Sequence, residues 1–211
     1  MIFDNLPKII ALFPLSNAIF FPNTILPLNI FEERYIQLIK DCMKNDKMFG
    51  MVQPRSMKNL KPDVYKVGCL GKITNLIETN DKRFLISLSG IIRFRIIKEL
   101  SSNKMYRKFE VNYSDFVEDL NNNKSKKEYN TRRLLEKVNF FFKKKNYIIE
   151  LDQIRNLSFE QLVSTICMVS PFSVEEKQKL METVKIEDKL NILEEIINFN
   201  LLDNQDNKTI Q

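Results

Sequence analysis

Few residues of this 211-residue chain are able to carry out chemistry, and none of them is a histidine. Without histidine there is no histidine base, no Ser-His or Cys-His nucleophile and no histidine-ligated zinc. Adjacent carboxylates occur, but neighbours on a helix point about 100° apart and do not converge on one substrate bond. We therefore predict no catalytic residues and no enzyme. The carboxylate pairs are Glu32/Glu33, Glu175/Glu176, Glu187/Asp188 and Glu194/Glu195.

The cysteines and the glycine-rich segment do not indicate a metal or cofactor either. Cys42, Cys69 and Cys167 are far apart, odd in number and form no C-x-x-C pair. This pattern disfavours structural zinc and a disulfide framework, and it favours a reducing compartment. Residues 68–74 have two residues between their glycines, whereas a phosphate-binding loop needs four. We predict no metal, no cofactor and a cytoplasmic location.

A basic surface is the first candidate binding site. Residues 124–145 carry nine basic and two acidic side chains, in a chain whose net charge is +6. Arg93 and Arg95 stand two apart on a predicted strand and so share a face. Such charge attracts phosphate, although a solvated helix face is the simpler interpretation. The candidate basic patch comprises Arg93, Arg95, Arg132, Arg133 and Lys137.

An apolar segment is the second candidate. No charged residue occurs from Ile9 to Phe31, but the three prolines of this segment would break a membrane helix repeatedly. We predict buried strands joined by proline turns, and no association with membranes. We predict that some apolar side chains there line a groove for an extended peptide. For each of them, burial in the core is an equally good interpretation. The candidate peptide-binding residues are Phe20, Phe21, Ile25 and Phe31.

The elements that must position these residues change character along the chain. All four glycines and six of the seven prolines lie at or before residue 90, so turns are concentrated in the first part. There, apolar runs and alternation predict a series of strands with one helix, Glu32–Lys44. The predicted strands are Ile9–Leu15, Thr24–Ile30, Met48–Gln53, Tyr65–Glu78, Arg83–Ser89, Ile91–Lys98 and Tyr106–Val117.

The second part of the chain has a helical period. Leu134, Val138 and Phe141 are spaced i, i+4, i+7. Capping-box signatures, Ser158 with Gln161 and Ser173 with Glu176, predict two helix starts. Another apolar stripe comprises Ile186, Leu190, Leu193 and Ile197. Contiguous strands followed by contiguous helices indicate an α+β protein.

Several segments resemble the N-terminal substrate-binding domain of the Lon protease family. The specific block comprises LFPL at residues 12–15, IFFPN at 19–23 and LPLNIFEERY at 26–35. Weaker matches are VGCLGKI at 67–73, GIIRFRI at 90–96 and EKQKLME at 176–182. Asn23 stands where the family usually has glycine, and Glu33 where it commonly has proline. Because the chain ends before an ATPase or protease domain, we expect a stand-alone member.

The resemblance implies an N-terminal PUA-like antiparallel β-barrel with one or more short helices, followed by a C-terminal α-helical bundle. We place the barrel at residues 1–120, the bundle at 121–203 and an unstructured tail at 204–211. The implied function is non-catalytic binding of unfolded or hydrophobic polypeptide segments, with an adaptor role beside a Lon-type protease as one form of it. An RNA-binding module that uses the barrel and residues 124–145 is the alternative.

Overall fold

A computed structural model describes residues 6–16, 18–55, 63–121, 129–147, 154 and 156–206. Its backbone contacts divide the chain into two units, residues 1–122 and 123–211. Unit 1 contains the strands and unit 2 contains four of the five α-helices described. The chain is thus an α+β protein with a mixed sheet plus helices.

The elements of unit 1 follow the predicted order with small changes at their ends. The helix α1 spans Glu33–Met43. A kinked 3-10 helix, Ser114–Leu120, replaces the end of the predicted strand Tyr106–Val117. The chain turns there because the Asn112 side chain accepts a hydrogen bond from the Ser114 N–H at 2.6 Å. The strands are β1 Ile9–Pro14, β2 Ile25–Ile30, β3 Met48–Val52, β4 Val67–Glu78, β5 Phe84–Leu100 and β6 Arg107–Asn112.

The six strands form one sheet in the order β2-β5-β4-β3-β1-β6, and β5 also pairs with β6. All neighbours are antiparallel except β1 and β3, which run parallel with Leu12 opposite Gly50. The expectation of an entirely antiparallel sheet is therefore wrong at this pair. Parallel pairing needs a long connection, and the segment containing β2 and α1 provides it.

The long strand β5 spans both strands that were predicted on either side of Gly90. The prediction of two strands is wrong because a β-bulge bends one continuous strand. Gly90 lies opposite Gly71 and Ile92 opposite Leu70, so Ile91 is the extra residue. The bend lets the first part of β5 pair with β2 and the last part pair with β6, while β4 follows most of its length.

The core of unit 1 includes the inner face of the sheet and the apolar side of α1. The rings of Phe13 and Tyr35 stack with centroids 4.0 Å apart, which joins β1 to α1. Leu38 and Ile39 of α1 are fully buried, as expected for the apolar stripe of an amphipathic helix. Other large, fully buried side chains of this core are Leu12, Phe20, Phe21, Ile30, Phe49, Leu70, Leu88, Phe94 and Phe116.

In the described part of unit 2 the helices are α2 Thr131–Lys144, α3 Phe159–Val169, α4 Val174–Glu182 and α5 Ile186–Asp206. Both predicted capping boxes are confirmed, at Ser158 and Ser173. Lys137 of α2 pairs with Glu194 of α5 at 2.8 Å. The helix α5 runs to Asp206, into the expected tail, and residues 207–211 lie outside the described residues. Buried apolar residues include Leu134, Val138, Phe141, Leu162, Ile166, Leu193 and Ile197.

The three cysteine thiols are free and buried, and we expect them to be unreactive in the folded chain. Burial raises the pKa of Cys42 and of Cys167 to about 12, and it raises the pKa of Cys69 well above its ordinary value. Only the thiolate attacks a thiol reagent, so at pH 8 the folded chain should react at least about a hundredfold more slowly than the urea-unfolded chain. Stopped-flow absorbance with an aromatic disulfide reagent measures both rates. Equal rates in the two states would contradict this expectation.

Candidate functional site

The candidate site is a group of exposed apolar side chains on the outer face of the sheet, where β2, β5 and β4 lie side by side. We call Ile25, Phe31, Ile77 and Leu85 the outer apolar patch. Their exposed fractions are 66%, 62%, 53% and 43%. The outer face of a half-buried sheet normally carries polar side chains, so large apolar groups exposed there are a candidate binding surface.

The strand register makes Leu85 and Ile77 neighbours and places Ile25 and Phe31 at the two ends of the patch. Leu85 of β5 lies opposite Asn29 of β2 on one side and opposite Ile77 of β4 on the other. Directly opposite residues share a face, so Leu85 and Ile77 are neighbours on the outside of the sheet. Ile25 and Phe31 have the same parity along the chain as Asn29, and they lie roughly 20 Å apart at the rise of a strand. The patch therefore has the length of a short extended peptide.

A close backbone contact fixes the start of β2 against β5. The Gly90 N–H donates to the Thr24 carbonyl at 2.9 Å, and the Asn23 N–H donates to the Gly90 carbonyl at 3.0 Å. The Thr24 hydroxyl donates to the Phe21 carbonyl at 2.6 Å, which closes the turn between them. Ile25 is thereby held on the outer face, one residue after a buried threonine.

A hydrogen-bonded hairpin tip supports the Phe31 end of the patch. The guanidinium carbon of Arg83 lies 5.9 Å from the centroid of the Phe31 ring, within cation–π range. Arg83 pairs with Asp81 at 2.8 Å, and the Thr79 hydroxyl also donates to Asp81. The bond from Thr79, followed by the charge of Arg83, holds the pKa of Asp81 below its ordinary value. Arg83 and Asp81 form a charged rim beside an apolar surface.

The patch offers contact with apolar side chains and carries no nucleophile or general base of its own. In the described parts of the chain, no group of three or more His, Cys, Asp or Glu residues is placed to hold a metal ion. Among the helices described, none is both long and apolar enough to cross a membrane.

Two of the four predicted peptide-binding residues are not on this surface. Phe20 and Phe21 are 2% and 0% exposed, so the prediction that they are exposed contacts is wrong. The Phe20 ring packs against Gly71, whose lack of a side chain makes room for it next to Leu88. Ile25 and Phe31 are exposed, and their role in binding stays a prediction.

The predicted basic patch is wrong at Arg93, which is 2% exposed. Its Nε and one terminal nitrogen donate to the Asp119 carboxylate at 2.9 and 2.7 Å, and its guanidinium carbon lies 4.6 Å from the centroid of the Phe116 ring. Arg95, like Arg93, is directed toward the 3-10 helix, and it pairs with Asp115 at 2.9 Å. Asp119 and Asp115 of the 3-10 helix thus pair with the two arginines that the sequence predicted to be available for binding.

The basic side chains of α2 are exposed or paired within unit 2. Arg132 pairs with Glu136 one turn later at 3.0 Å, and Arg133 is exposed. Lys137 is partly buried through its pair with Glu194. Residues 122–128, which carry part of the predicted basic segment, lie outside the described residues. These contacts give the RNA-binding alternative no support.

Sequence reasoning missed Ile77 and Leu85. A signal for Leu85 was present, because it is the apolar member of an otherwise polar outward series, Arg83, Ser87 and Ser89. Ile77 follows a bulge between Ile73 and Asn75, which shifts the alternation of β4. The outward direction of Ile77 could not be read from period 2 alone.

Comparison with known proteins identifies a family for nearly the whole chain. Residues 9–198 match the model of the ATP-dependent protease La (LON) substrate-binding domain. The chain is 27% identical over 209 residues to Lon protease 2 of Myxococcus xanthus, and 25% identical over 214 residues to a Lon protease of Anaeromyxobacter dehalogenans. Each alignment covers 92% of this chain and 24% of the relative, so the chain spans about a quarter of these relatives' length.

Solved structures show the same fold. A Lon N-terminal domain protein from Xanthomonas campestris superposes with a TM-score of 0.61 at 20% identity, covering 89% of this chain and 97% of its own. The N-terminal domain of the Mycobacterium avium complex Lon protease superposes with a TM-score of 0.60 at 14% identity, covering 90% and 98%. The resemblance read from residues 12–35 is confirmed. The chain belongs to the LON substrate-binding domain family.

Proposed function

We propose that this chain is a non-catalytic module that binds unfolded or hydrophobic polypeptide segments at the outer apolar patch. The observation that carries the proposal is the presence of four large, exposed apolar side chains along the outer side of β2, β5 and β4, with Ile77 and Leu85 directly opposite each other and Phe31 just after β2. Burying such a side chain is worth about 1.5 to 3 kcal/mol, so a peptide that covers several of them binds measurably after its ordering is offset.

The character of β2 supports an uncharged ligand. From Ile9 to Phe31 the chain carries no charged side chain. The ion pair of Arg83 with Asp81 lies at one end of the patch, and exposed Lys72, opposite Ser89, lies toward the other. A charge in the middle of a bound peptide would lose hydration between Ile25 and Phe31 without a partner, because the charged side chains lie at the two ends. Unfolded chains expose the apolar side chains that native proteins bury, and these are the ligands that fit.

We also propose that the chain acts as an adaptor beside a Lon-type protease in the cytoplasm. The family match supports a link to Lon substrates, and three free thiols fit a reducing compartment. Degradation of an unfolded protein by a Lon-type protease, measured with and without this chain, tests the adaptor role. Faster degradation is expected, and an unchanged rate would contradict it.

In the proposed domain plan, residues 1–120 form a PUA-like barrel, residues 121–203 a helical bundle and residues 204–211 a tail. Support for the barrel comes from β5, which pairs with β2, with β4 and also with β6 at the far end of the strand order. Support for the bundle comes from the Lys137–Glu194 pair and from the stacked rings of Tyr129 and Phe159.

Removing two side chains of the outer apolar patch should weaken polypeptide binding. We expect the double variant Phe31→Ser, Leu85→Ser to bind a reduced and alkylated, permanently unfolded protein about tenfold more weakly than the wild type. That loss corresponds to about 1.4 kcal/mol, a modest share of the burial energy of the two side chains. Fluorescence anisotropy with a labelled unfolded protein measures the dissociation constant.

The matched control is the double variant Ile97→Ser, Met105→Ser. These side chains are 51% and 56% exposed and belong to unit 1, but they are not part of the patch. We expect binding within about twofold of the wild type for the control. Equal weakening in both double variants, at unchanged melting temperatures, would show that general hydrophobicity and not this patch binds the polypeptide.

A further inference from the structure

The outward edge of β2 carries backbone groups that are not used by the sheet. Among the described strands, β2 pairs with β5 alone and lies at the end of the strand order. The Gly90 N–H donates to the Thr24 carbonyl, so the Thr24 carbonyl points toward β5. In an antiparallel pair this direction alternates, so Leu26, Leu28 and Ile30 face β5, whereas Ile25, Pro27 and Asn29 face away from it.

A bond at the far side of β5 confirms this alternation. The Thr79 N–H donates to the Arg83 carbonyl at 3.0 Å, which shows that the odd-numbered residues of this stretch of β5 direct their backbone groups toward β4. The backbone groups of the even-numbered residues therefore face β2, in agreement with the bond from the Gly90 N–H to the Thr24 carbonyl. The free edge of β2 thus presents the N–H groups of Ile25 and Asn29 and the carbonyls of Ile25, Pro27 and Asn29.

Pro27 occupies the position in β2 where a proline does not disturb the sheet. It lies opposite Ser87, and its missing N–H would point away from β5. Proline in strands is confined to such edge positions. Its carbonyl still accepts a hydrogen bond, so Pro27 interrupts the free edge at one donor and leaves the acceptors intact.

The free edge carries no charged side chain, so its only guard of the usual kinds within β2 is Pro27 in a short strand. Natural edge strands are commonly blocked by charged side chains, especially lysine. The sequence ILPLNI of β2 contains none, and the side chains of Ile25, Pro27 and Asn29 on its outer face are exposed. An apolar strand with open backbone donors and acceptors is a template for another strand, and its lack of charge matches a segment that is itself uncharged.

We propose that the ligand of this chain is an extended, uncharged polypeptide segment that adds to the edge of β2 as a further strand. This inference rests on the proposed function, because it names how a polypeptide would bind at the same site. Backbone hydrogen bonds to Ile25, Pro27 and Asn29 supply affinity that does not depend on sequence. Alternate side chains of the segment lie on the same face as Ile25, beside the outer apolar patch, and supply a preference for apolar residues.

N-methylated peptides separate backbone pairing from side-chain contact. The probe is a short, acetylated and amidated peptide in which valine and threonine alternate, compared with two versions that carry the same number of backbone N-methyl groups. One version is methylated at the valines and the other at the threonines. Because alternate amides of a strand face opposite edges, we expect one version to bind about tenfold more weakly and the other within about twofold of the parent.

The outcomes distinguish this inference from the proposed function. If both methylated peptides bind equally well, or both lose the same affinity, strand addition is overturned. The proposed function still stands in that case, because the parent peptide binds. No binding of the parent peptide, in a chain that does bind the unfolded protein, would overturn strand addition alone. No binding of either ligand would overturn both. A chain that binds neither but dimerises through β2 would assign this edge to a second copy.

A pair of variants tests the same edge from the protein side. Asn29→Pro removes an outward N–H without touching the bonds to β5, and Asn29→Ala keeps that N–H. We expect the proline variant to bind the parent peptide about fivefold more weakly than the alanine variant, with equal far-ultraviolet circular dichroism. Equal affinities in two folded variants would contradict pairing at this edge. If the proline variant does not fold, protection of the Ile25 and Asn29 amides from hydrogen exchange on adding the peptide to wild type is the required result, and its absence overturns the proposal.

Discussion

Replacing Asp119 with alanine is expected to destabilise the fold by about 3 to 5 kcal/mol, because it leaves the Arg93 charge buried without its carboxylate. The side chains of Arg93 and Asp119 are 3% and 10% exposed. One Asp119 oxygen accepts from both the backbone N–H and the Nε of Arg93, and the other accepts from a terminal nitrogen. Urea unfolding followed by circular dichroism gives the free energy of unfolding.

The neighbouring pair provides the control for this prediction. Asp115 bonds to Arg95 from the same 3-10 helix, but both side chains are nearly half exposed. Asp115→Ala should therefore cost less than about 1 kcal/mol, as surface pairs do. The double variant Arg93→Met, Asp119→Leu should recover part of the loss, since it removes both charges together while the backbone N–H of residue 93 still loses its bond to Asp119. Similar destabilisation by Asp119→Ala and Asp115→Ala would show that burial of the pair is not what matters.

Gly90→Ala is expected to cost about 3 kcal/mol or more, because the added methyl group would meet backbone atoms that cannot move aside. A Cβ at Gly90 would lie 2.0 Å from the Phe21 carbonyl oxygen and 3.1 Å from the Pro22 Cα. Phe21 is fully buried, and hydrogen bonds on both sides of Gly90 tie β5 to Asn23 and Thr24. The shift in the urea midpoint, or the loss of soluble folded protein, measures the effect.

Ser89→Ala is the matched control for Gly90→Ala. Ser89 adjoins Gly90 in β5 and is partly exposed, so its replacement should change the free energy of unfolding by less than about 1 kcal/mol. A Gly90→Ala variant within about 0.5 kcal/mol of the wild type would contradict the close approach of β5 to the turn that begins β2. It would also remove the reason for the placement of Ile25.

Local pattern predicted most elements but not their long-range pairing. Alternation and turn residues located β1 to β4, and the capping boxes located α3 and α4. The parallel pairing of β1 with β3 depends on contacts between residues that are about 38 positions apart, such as Leu12 and Gly50, and no local signal encodes it. The local pattern predicts a break between strands at Gly90, whereas this glycine lets Phe21 approach a continuous β5.

The candidate site was predictable only in part. The apolar character of residues 9–31 indicated the right segment, but apolar residues in a strand next to a turn do not reveal which of them face outward. Phe20 and Phe21 precede β2 and turn into the core, whereas Ile25 and Phe31 face outward. The sequence could not show that Arg93 is buried and Arg95 exposed, because the carboxylate that pairs with Arg93, Asp119, lies 26 residues away in the chain.

Hydrogen–deuterium exchange of the full chain, with and without a saturating amount of the alkylated unfolded protein, tests polypeptide binding at the outer apolar patch most directly. The structure predicts that new protection is concentrated in residues 25–31 and 77–85, where the exposed side chains Ile25, Phe31, Ile77 and Leu85 lie. Protection confined to the helices of unit 2, or no new protection at saturation, would contradict the proposed function.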